Sequence, residues 1–213
     1  MRRVFLSLAC MMSLSAMAQG EWEVPDANKP KEVVEVEKNE KSTPEEDVKY
    51  LEGAVPEKDG KVLWSRDYDV PGKSAEQIYD IMFKYLSDFT KADNQLEGSC
   101  VSLVNKKEHI IIATVKEWLV FKENFLMLDR TKFNYNIIAY CHDNKLTVDI
   151  TRIYYRYEEE RVKGGYLYKA EEWINDKNAL NRSKTKLLRG SAKFRRKTID
   201  RKDEIFESIG KLF

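Results

Sequence analysis

The dipeptide Asp143-Asn144 stands between two runs of alternating apolar and polar residues, 131–142 and 145–157, and this arrangement leaves few folds open. Both residues tolerate the backbone of a tight turn, so the runs read as the arms of one β-hairpin. Setting Cys141 opposite Leu146 then places Ala139 opposite Val148, Ile137 opposite Ile150, Tyr135 opposite Arg152 and Phe133 opposite Tyr154. Side chains alternate between the faces of a strand, so one face of this ribbon is nearly all apolar and has to be covered. The other face carries Asn134, Asn136, Ile138, Tyr140 and His142 against Thr147, Asp149, Thr151, Ile153 and Tyr155, which is neither core nor plain solvent surface.

A cover lies upstream. Val62, Trp64, Tyr68 and Val70 alternate with polar residues in a strand closed by Pro71-Gly72. Ser74 with Gln77 three residues on is a capping box, which satisfies N–H groups that the first helical turn leaves orphaned. Ala75, Ile78, Tyr79, Met82, Leu86 and Phe89 follow at helical spacing, with Glu76, Asp80, Lys84 and Asp88 opposite. Two further strands are expected at 100–104 and 109–121, the second buried on both faces because Ile110, Ile111, Ile112 and Val115 crowd it. Residues 125–128 read either as the start of the next strand or as a loop packed beside it. Beyond the turn at Gly164-Gly165, two helices are expected. One spans 170–188 with Trp173, Leu180 and Leu187 at heptad spacing, and the other spans 200–212 with Ile205, Phe206, Ile209 and Leu212 on one stripe, with Arg189-Gly190 as the break.

The N-terminal part has a different character. Arg2 and Arg3, an apolar segment from Val4 to Leu14 and Ala16-Met17-Ala18 form an export signal, with cleavage expected after Ala18 and a mature start at Gln19. The apolar segment is shorter than the roughly 20 residues a bilayer span needs. Cys10 opens a lipoprotein reading, but Ser7 stands where an aliphatic residue belongs. Residues 19–59 are rich in Glu, Lys and Pro and poor in large apolar side chains, which predicts a disordered linker. Within it, Val33 to Val36 offers a short strand and Thr43-Pro44-Glu45-Glu46 a helical turn. A folded domain at 60–158 and a helical extension at 159–213 packed on it complete the expected organisation.

Net charge is +1 with 34% charged residues, so no global field points to nucleic acid, although 182–202 is crowded with Lys and Arg. His109 and His142 have no Cys or carboxylate at ligand spacing, and no metal or cofactor site is expected. There is neither a Gly-rich phosphate loop nor a Gly-x-Ser-x-Gly elbow. Ser183 and Lys186 spell Ser-x-x-Lys without its companion motifs, and Glu171 and Glu172 read as a solvated helix face. Catalytic residues are therefore not expected, while distant groups that assemble only in the fold keep an enzyme open. Cys100 and Cys141 would meet an oxidising compartment after export. A strand at 109–121 lying between them would hold their Cα atoms beyond disulfide reach, and free thiols and a bridge both stay open.

The run Gly60-Lys61-Val62-Leu63, then Val70-Pro71-Gly72-Lys73-Ser74-Ala75-Glu76-Gln77-Ile78-Tyr79, then Arg152-Ile153-Tyr154-Tyr155, resembles the domain of unknown function 4468 family of exported Bacteroidetes proteins. The resemblance spans about 60–158. It implies an α+β, TBP-like fold, β-α-β-β-β-β-α, with a curved antiparallel sheet and helices on one face; it implies no activity. The resulting expectation is a periplasmic or secreted, non-catalytic binding module. Its protein or glycan partner would meet Asn136, Ile138, Tyr140, Thr151, Ile153 and Tyr155 on the open sheet face. The alternative is a carrier of a small apolar ligand between helix and sheet.

Overall fold

The computed structural model describes residues 47–160 and 163–213. The export signal, the lipoprotein reading of Cys10, most of the linker, the strand at Val33 to Val36 and the turn at Thr43 to Glu46 lie outside the described residues. Within them the chain runs through a short 3-10 turn at Val48–Tyr50, then β1 (Glu57–Lys58), β2 (Lys61–Asp69), α1 (Ala75–Phe89), β3 (Cys100–Asn105), β4 (Ile110–Asn124), β5 (Met127–His142), β6 (Lys145–Tyr157), β7 (Tyr166–Lys169), α2 (Ala170–Trp173), α3 (Asp176–Ala179) and α4 (Arg189–Gly210). The seven strands form an antiparallel sheet ordered β1-β2-β6-β5-β4-β3, and β7 continues the β2 side along the far half of β6. α1 and α4 both lie on one face, against β4 and its neighbours. This is the α+β, TBP-like arrangement.

The β5–β6 turn holds the hairpin register and also anchors α1. Asn144 sits at φ 63°, where an Asn is tolerated. Its Oδ1 accepts from Gly72 N at 2.8 Å, and Asp143 Oδ1 accepts from Ala75 N at 2.8 Å. The loop that launches the helix is thus tied to the hairpin tip. Cys141 pairs with Leu146, Ala139 with Val148 and Ile137 with Ile150. Ser74 Oγ accepts from Gln77 N at 3.3 Å and Gln77 Oε1 accepts from Ser74 N at 2.9 Å, completing the capping box. Ser74→Ala is expected to lower stability by about 1 kcal/mol. Urea denaturation would read this as a lower midpoint at constant slope, and an unmoved midpoint would mean that Ser74 contributes nothing to the helix start.

Besides the described end of the expected linker, where 47–59 hold a 3-10 turn, β1 and the buried Val55 in place of disorder, two expectations about register and helices need correction. Tyr135 does not pair with Arg152 nor Phe133 with Tyr154: the register slips between Asn134 and Asn136, so that Asn134 meets Tyr154 and Phe133 meets Tyr155. Arg152, at φ 56°, is the extra residue of a β-bulge, and it exchanges the two faces of β6 beyond it. Ile153 and Tyr155 therefore enter the core, at 2% and 0% exposure.

The second correction concerns 170–188, which is not one helix. Asn175 Oδ1 caps α3 through Asn178 N, and Leu180 turns extended and bridges to Leu187. Asn181 Oδ1 accepts from Thr185 N and Lys186 N, closing the loop between. Asparagine side chains that bond local backbone compete with helix, and here they win. α4 instead begins at Arg189 and runs unbroken through the site expected for a second helix start at Asp200.

The core lies between the helices and the sheet: Ile78, Met82 and Leu86 of α1 and Ile205 and Ile209 of α4 face Ile111, Val115, Ile137, Val148 and Ile150. β4 buries only this face fully, since Ile110 and Ile112 stay half-exposed on the other side. Two polar posts join α4 to the rest. Glu117, 1% exposed, accepts from Tyr135 Oη and Arg201 Nε (2.8 Å each), Arg201 Nη2 and Asn94 Nδ2 (2.9 Å each) and Gln95 Nε2 (3.1 Å). Burial opposes the charge of Arg201, and the Glu117 carboxylate more than offsets it, holding the guanidinium above its ordinary pKa. Arg195, fully buried, is the second post.

Candidate binding face

The face of the sheet away from α1 and α4 is built by the alternation that fills the core. Each inward residue of β4 and β5 leaves its neighbour pointing outward. Ile112 pairs with Ile138 and Ile110 with Tyr140 across β4 and β5, and Leu103 of β3 pairs with Ile112. These five side chains form an apolar strip, half-exposed in β4 and β5 and 51% exposed at Leu103. Beside it Thr114 pairs with Asn136, and Asn136 with Thr151, giving a zone of amide and hydroxyl groups. Ile138 faces Asp149, whose Oδ1 is buried without a protein donor. Burial, and after it the charge of Asp149, raise the Tyr140 hydroxyl above the usual tyrosine range, so it stays a neutral donor.

Of the six expected site residues, Asn136, Ile138, Tyr140 and Thr151 share this outer face, while Ile153 and Tyr155 do not. Tyr155 shares a hydrogen bond with Thr198 Oγ1 of α4 at 2.7 Å and packs on Phe133 and Phe194. The bulge at Arg152 removes both from the face. Ile110, Ile112 and Leu103 take their place, and the strand-long alternation of β4 would have pointed to the first two had its isoleucines been assigned to separate faces.

Two clefts open elsewhere on the surface. One, of about 370 Å³, lies where β4 and β5 run past β6 and is lined by Trp118, Leu128, Arg130, Lys132, Arg156 and Glu159 among others. The other, of about 460 Å³, lies along α4 and the end of β4. Its charges are largely engaged with one another, Lys49 with Asp200 and Arg201 with Glu204. Among the described residues no group of three or more His, Cys, Asp or Glu side chains could hold a metal ion. His109 instead meets Tyr79 edge-on, and His142 is exposed at the turn. Cys100 and Cys141 are both free thiols, with β4 between their strands. Burial pushes the Cys141 thiol up to about 12, which leaves it unreactive. Glu171 and Glu172 pair with Lys61 and Lys169.

The comparisons agree with the architecture. Residues 64–156 match the model of a domain of unknown function, DUF4468, with TBP-like fold. The crystal structure of a DUF4468 family protein from Bacteroides ovatus superposes with a TM-score of 0.73 at 42% identity, covering 78% of this chain and 94% of that one. A TBP-like protein from Parabacteroides distasonis, at 23% identity and a TM-score of 0.57 over 74% of this chain and 96% of its own, shares the fold. Nothing among curated proteins matches. With that identity over nearly the whole length of the Bacteroides protein, the chain belongs to the DUF4468 family.

Proposed function

We propose that the chain is an exported, non-catalytic binding module that takes a protein or glycan partner on the outer face of its sheet. The observation that carries this is the strip of Ile110, Ile112, Ile138 and Tyr140, half-buried among the described residues, beside Thr114, Asn136 and Thr151. Apolar and aromatic groups set among hydrogen-bonding side chains are what recognition surfaces offer. A ligand cavity beneath the helices has less support, because Ile78, Met82 and Leu86 meet Ile111, Ile137 and Val148 with no side chain of the six exposed. The clefts described above open on the outside.

Photo-crosslinking in the native host tests the reading. A reactive residue placed at Ile138 or Tyr140 is expected to capture a discrete partner, while one at exposed Lys197 on α4 is not. Equal capture from all three positions would remove the face from consideration. N-terminal sequencing of the same material is expected to begin at Gln19, and a lipid-modified Cys10 would overturn the soluble, exported form.

A further inference from the structure

The β4–β5 hairpin outruns every other strand. β6 and β7 make their last pairs at Tyr157, opposite Thr131, while β4 and β5 continue through Val120–Arg130, Lys122–Asp129, Glu123–Leu128 and Asn124–Met127. At about 3.4 Å per residue the four residues beyond Thr131 carry the tip roughly 14 Å beyond the sheet. It ends in Phe125 and Leu126, 101% and 90% exposed, followed by Met127 and Leu128 at 44% and 42%. The turn does not need these side chains: Asn124 Oδ1 makes it, accepting from Leu126 N at 3.1 Å and Met127 N at 2.7 Å. Turn positions favour Gly or polar residues, so two large apolar groups at the apex serve something other than folding.

Immediately behind the apex lies a second departure from folding rules. Trp118, Lys132 and Arg156 form one cross-strand row on the outer face, which sets two cations directly opposite each other. Like charges so placed destabilise a sheet. A single carboxylate, Glu159, serves both, 2.6 Å from Lys132 Nζ and 3.5 Å from Arg156 Nη1. Arg130 lies 3.8 Å over the Trp118 ring and has no carboxylate partner among the described residues. Of the other acids at the 370 Å³ cleft, Asp129 is turned to Tyr157 and Lys193, Glu158 lies within reach of the Tyr157 hydroxyl, and Glu160 is exposed at the rim. The cleft thus holds three cations and four carboxylates, and its cations Arg130, Lys132 and Arg156 stand together on the outer face of the sheet.

We propose that this end of the molecule docks on an anionic lipid surface, Phe125 and Leu126 entering the acyl region while a headgroup phosphate sits among Arg130, Lys132 and Arg156. Arg130 follows Leu126 by four residues, about 14 Å along the strand. The apolar apex and the cations Arg130, Lys132 and Arg156 thus succeed each other along one axis, in the order in which a leaflet presents hydrocarbon and phosphate. A convex apex whose apolar groups run from Phe125 to Leu128, with the polar Lys122, Glu123 and Asn124 on the other arm, suits a medium that closes around it better than a flat protein surface. With few apolar groups and no covalent anchor, attachment is reversible and strengthens with anionic lipid.

The test is co-sedimentation of the full chain with phosphatidylcholine vesicles with and without 30% phosphatidylglycerol, a composition chosen on the principle that cationic segments are drawn to anionic leaflets. Binding is expected to rise with phosphatidylglycerol and to fall at least about tenfold in Phe125→Asp/Leu126→Asp and, separately, in Arg130→Gln/Arg156→Gln, since tip and cleft act together. All four positions are on the surface, and circular dichroism checks that both variants fold. Binding that ignores the anionic lipid, or that both variants retain, overturns the proposal. Saturable binding of glycerol phosphate with no vesicle binding would make the cleft a site for a free phosphate and overturn docking. A dimer in ultracentrifugation that Phe125→Asp/Leu126→Asp abolishes would assign the tip to a second copy. The variants leave Ile138 and Tyr140 intact at the other end of the face, so this test and the crosslinking test fail independently.

Discussion

Arg152→Pro is expected to prevent the domain from folding, because the left-handed backbone of this one residue decides which face of β6 enters the core and proline is held near φ of about −65°. In the native sheet it is the unpaired residue of the bulge opposite Tyr135, at φ 56°. Without the bulge, continuous pairing from Ile150 through residue 152 would turn Ile153, Tyr155 and Tyr157 outward and drive Tyr154 and Arg156 against α4. Each large apolar side chain returned to water costs about 1.5–3 kcal/mol. Burying an unpaired guanidinium adds several kcal/mol more. The sum is comparable with the whole stability of a domain, about 5–15 kcal/mol. Arg152→Gly, in contrast, keeps the bulge: relief of the left-handed strain, about 1–2 kcal/mol, is partly offset by the greater chain entropy of glycine, leaving the variant within about 1 kcal/mol of the parent. Near-UV circular dichroism and urea titration compare the two. An Arg152→Pro variant with native stability would show that packing, and not the bulge, assigns the faces.

That residue also explains how much of the molecule could be read in advance. Alternation and the turn at Asp143-Asn144 were enough to place Ile137 on Ile150 and Cys141 on Leu146, and Ser74 with Gln77 was enough to start α1. These signals are local, and the turn residues carry them. A bulge made by an arginine carries no such mark, since Gly is the residue that usually announces a left-handed position. The apolar pattern of β6 looks continuous through Ile153 and Tyr155, and two of the six expected site residues were lost there. α4 was hidden for a different reason. Its buried stripe includes Ser191, Arg195 and Thr198, so hydrophobic periodicity sees only the later Ile205, Phe206 and Ile209. Glu117 is invisible in the same way, a carboxylate on the inward side of a strand whose five donors come from three distant places in the chain. Pattern reading works where burial means apolar, and it fails where a polar group is buried because it is fully bonded.

Arg195→Met is expected to cost about 3–5 kcal/mol, because it removes one member of a buried polar post and leaves the others in place. The guanidinium spreads over two separate segments, 50–51 and 174–176: Nε donates to Tyr50 O, Nη1 to Ile174 O, and Nη2 to Leu51 O and Asp176 Oδ1, each at 2.6 Å. Burial lowers its pKa and Asp176 opposes that shift. Asp176 in turn accepts from Gly53 N through Oδ2 at 2.7 Å, so one ion pair ties α3 and the segment after the 3-10 turn to α4. Methionine fills similar space but satisfies none of these acceptors, and the Ile174 carbonyl, in a fully buried residue, has no easy route to water. Lysine is expected to rescue little, since a single ammonium cannot reproduce a planar fan of donors. Hydrogen exchange supplies the signature that separates a local post from general loosening. The amides of Tyr50, Leu51 and Ala54, bonded within their own turn, should lose protection first, while those of α1 keep theirs. Uniform loss across both regions would mean that Arg195 supports the whole core instead of fastening the N-terminal strap and α3 to α4.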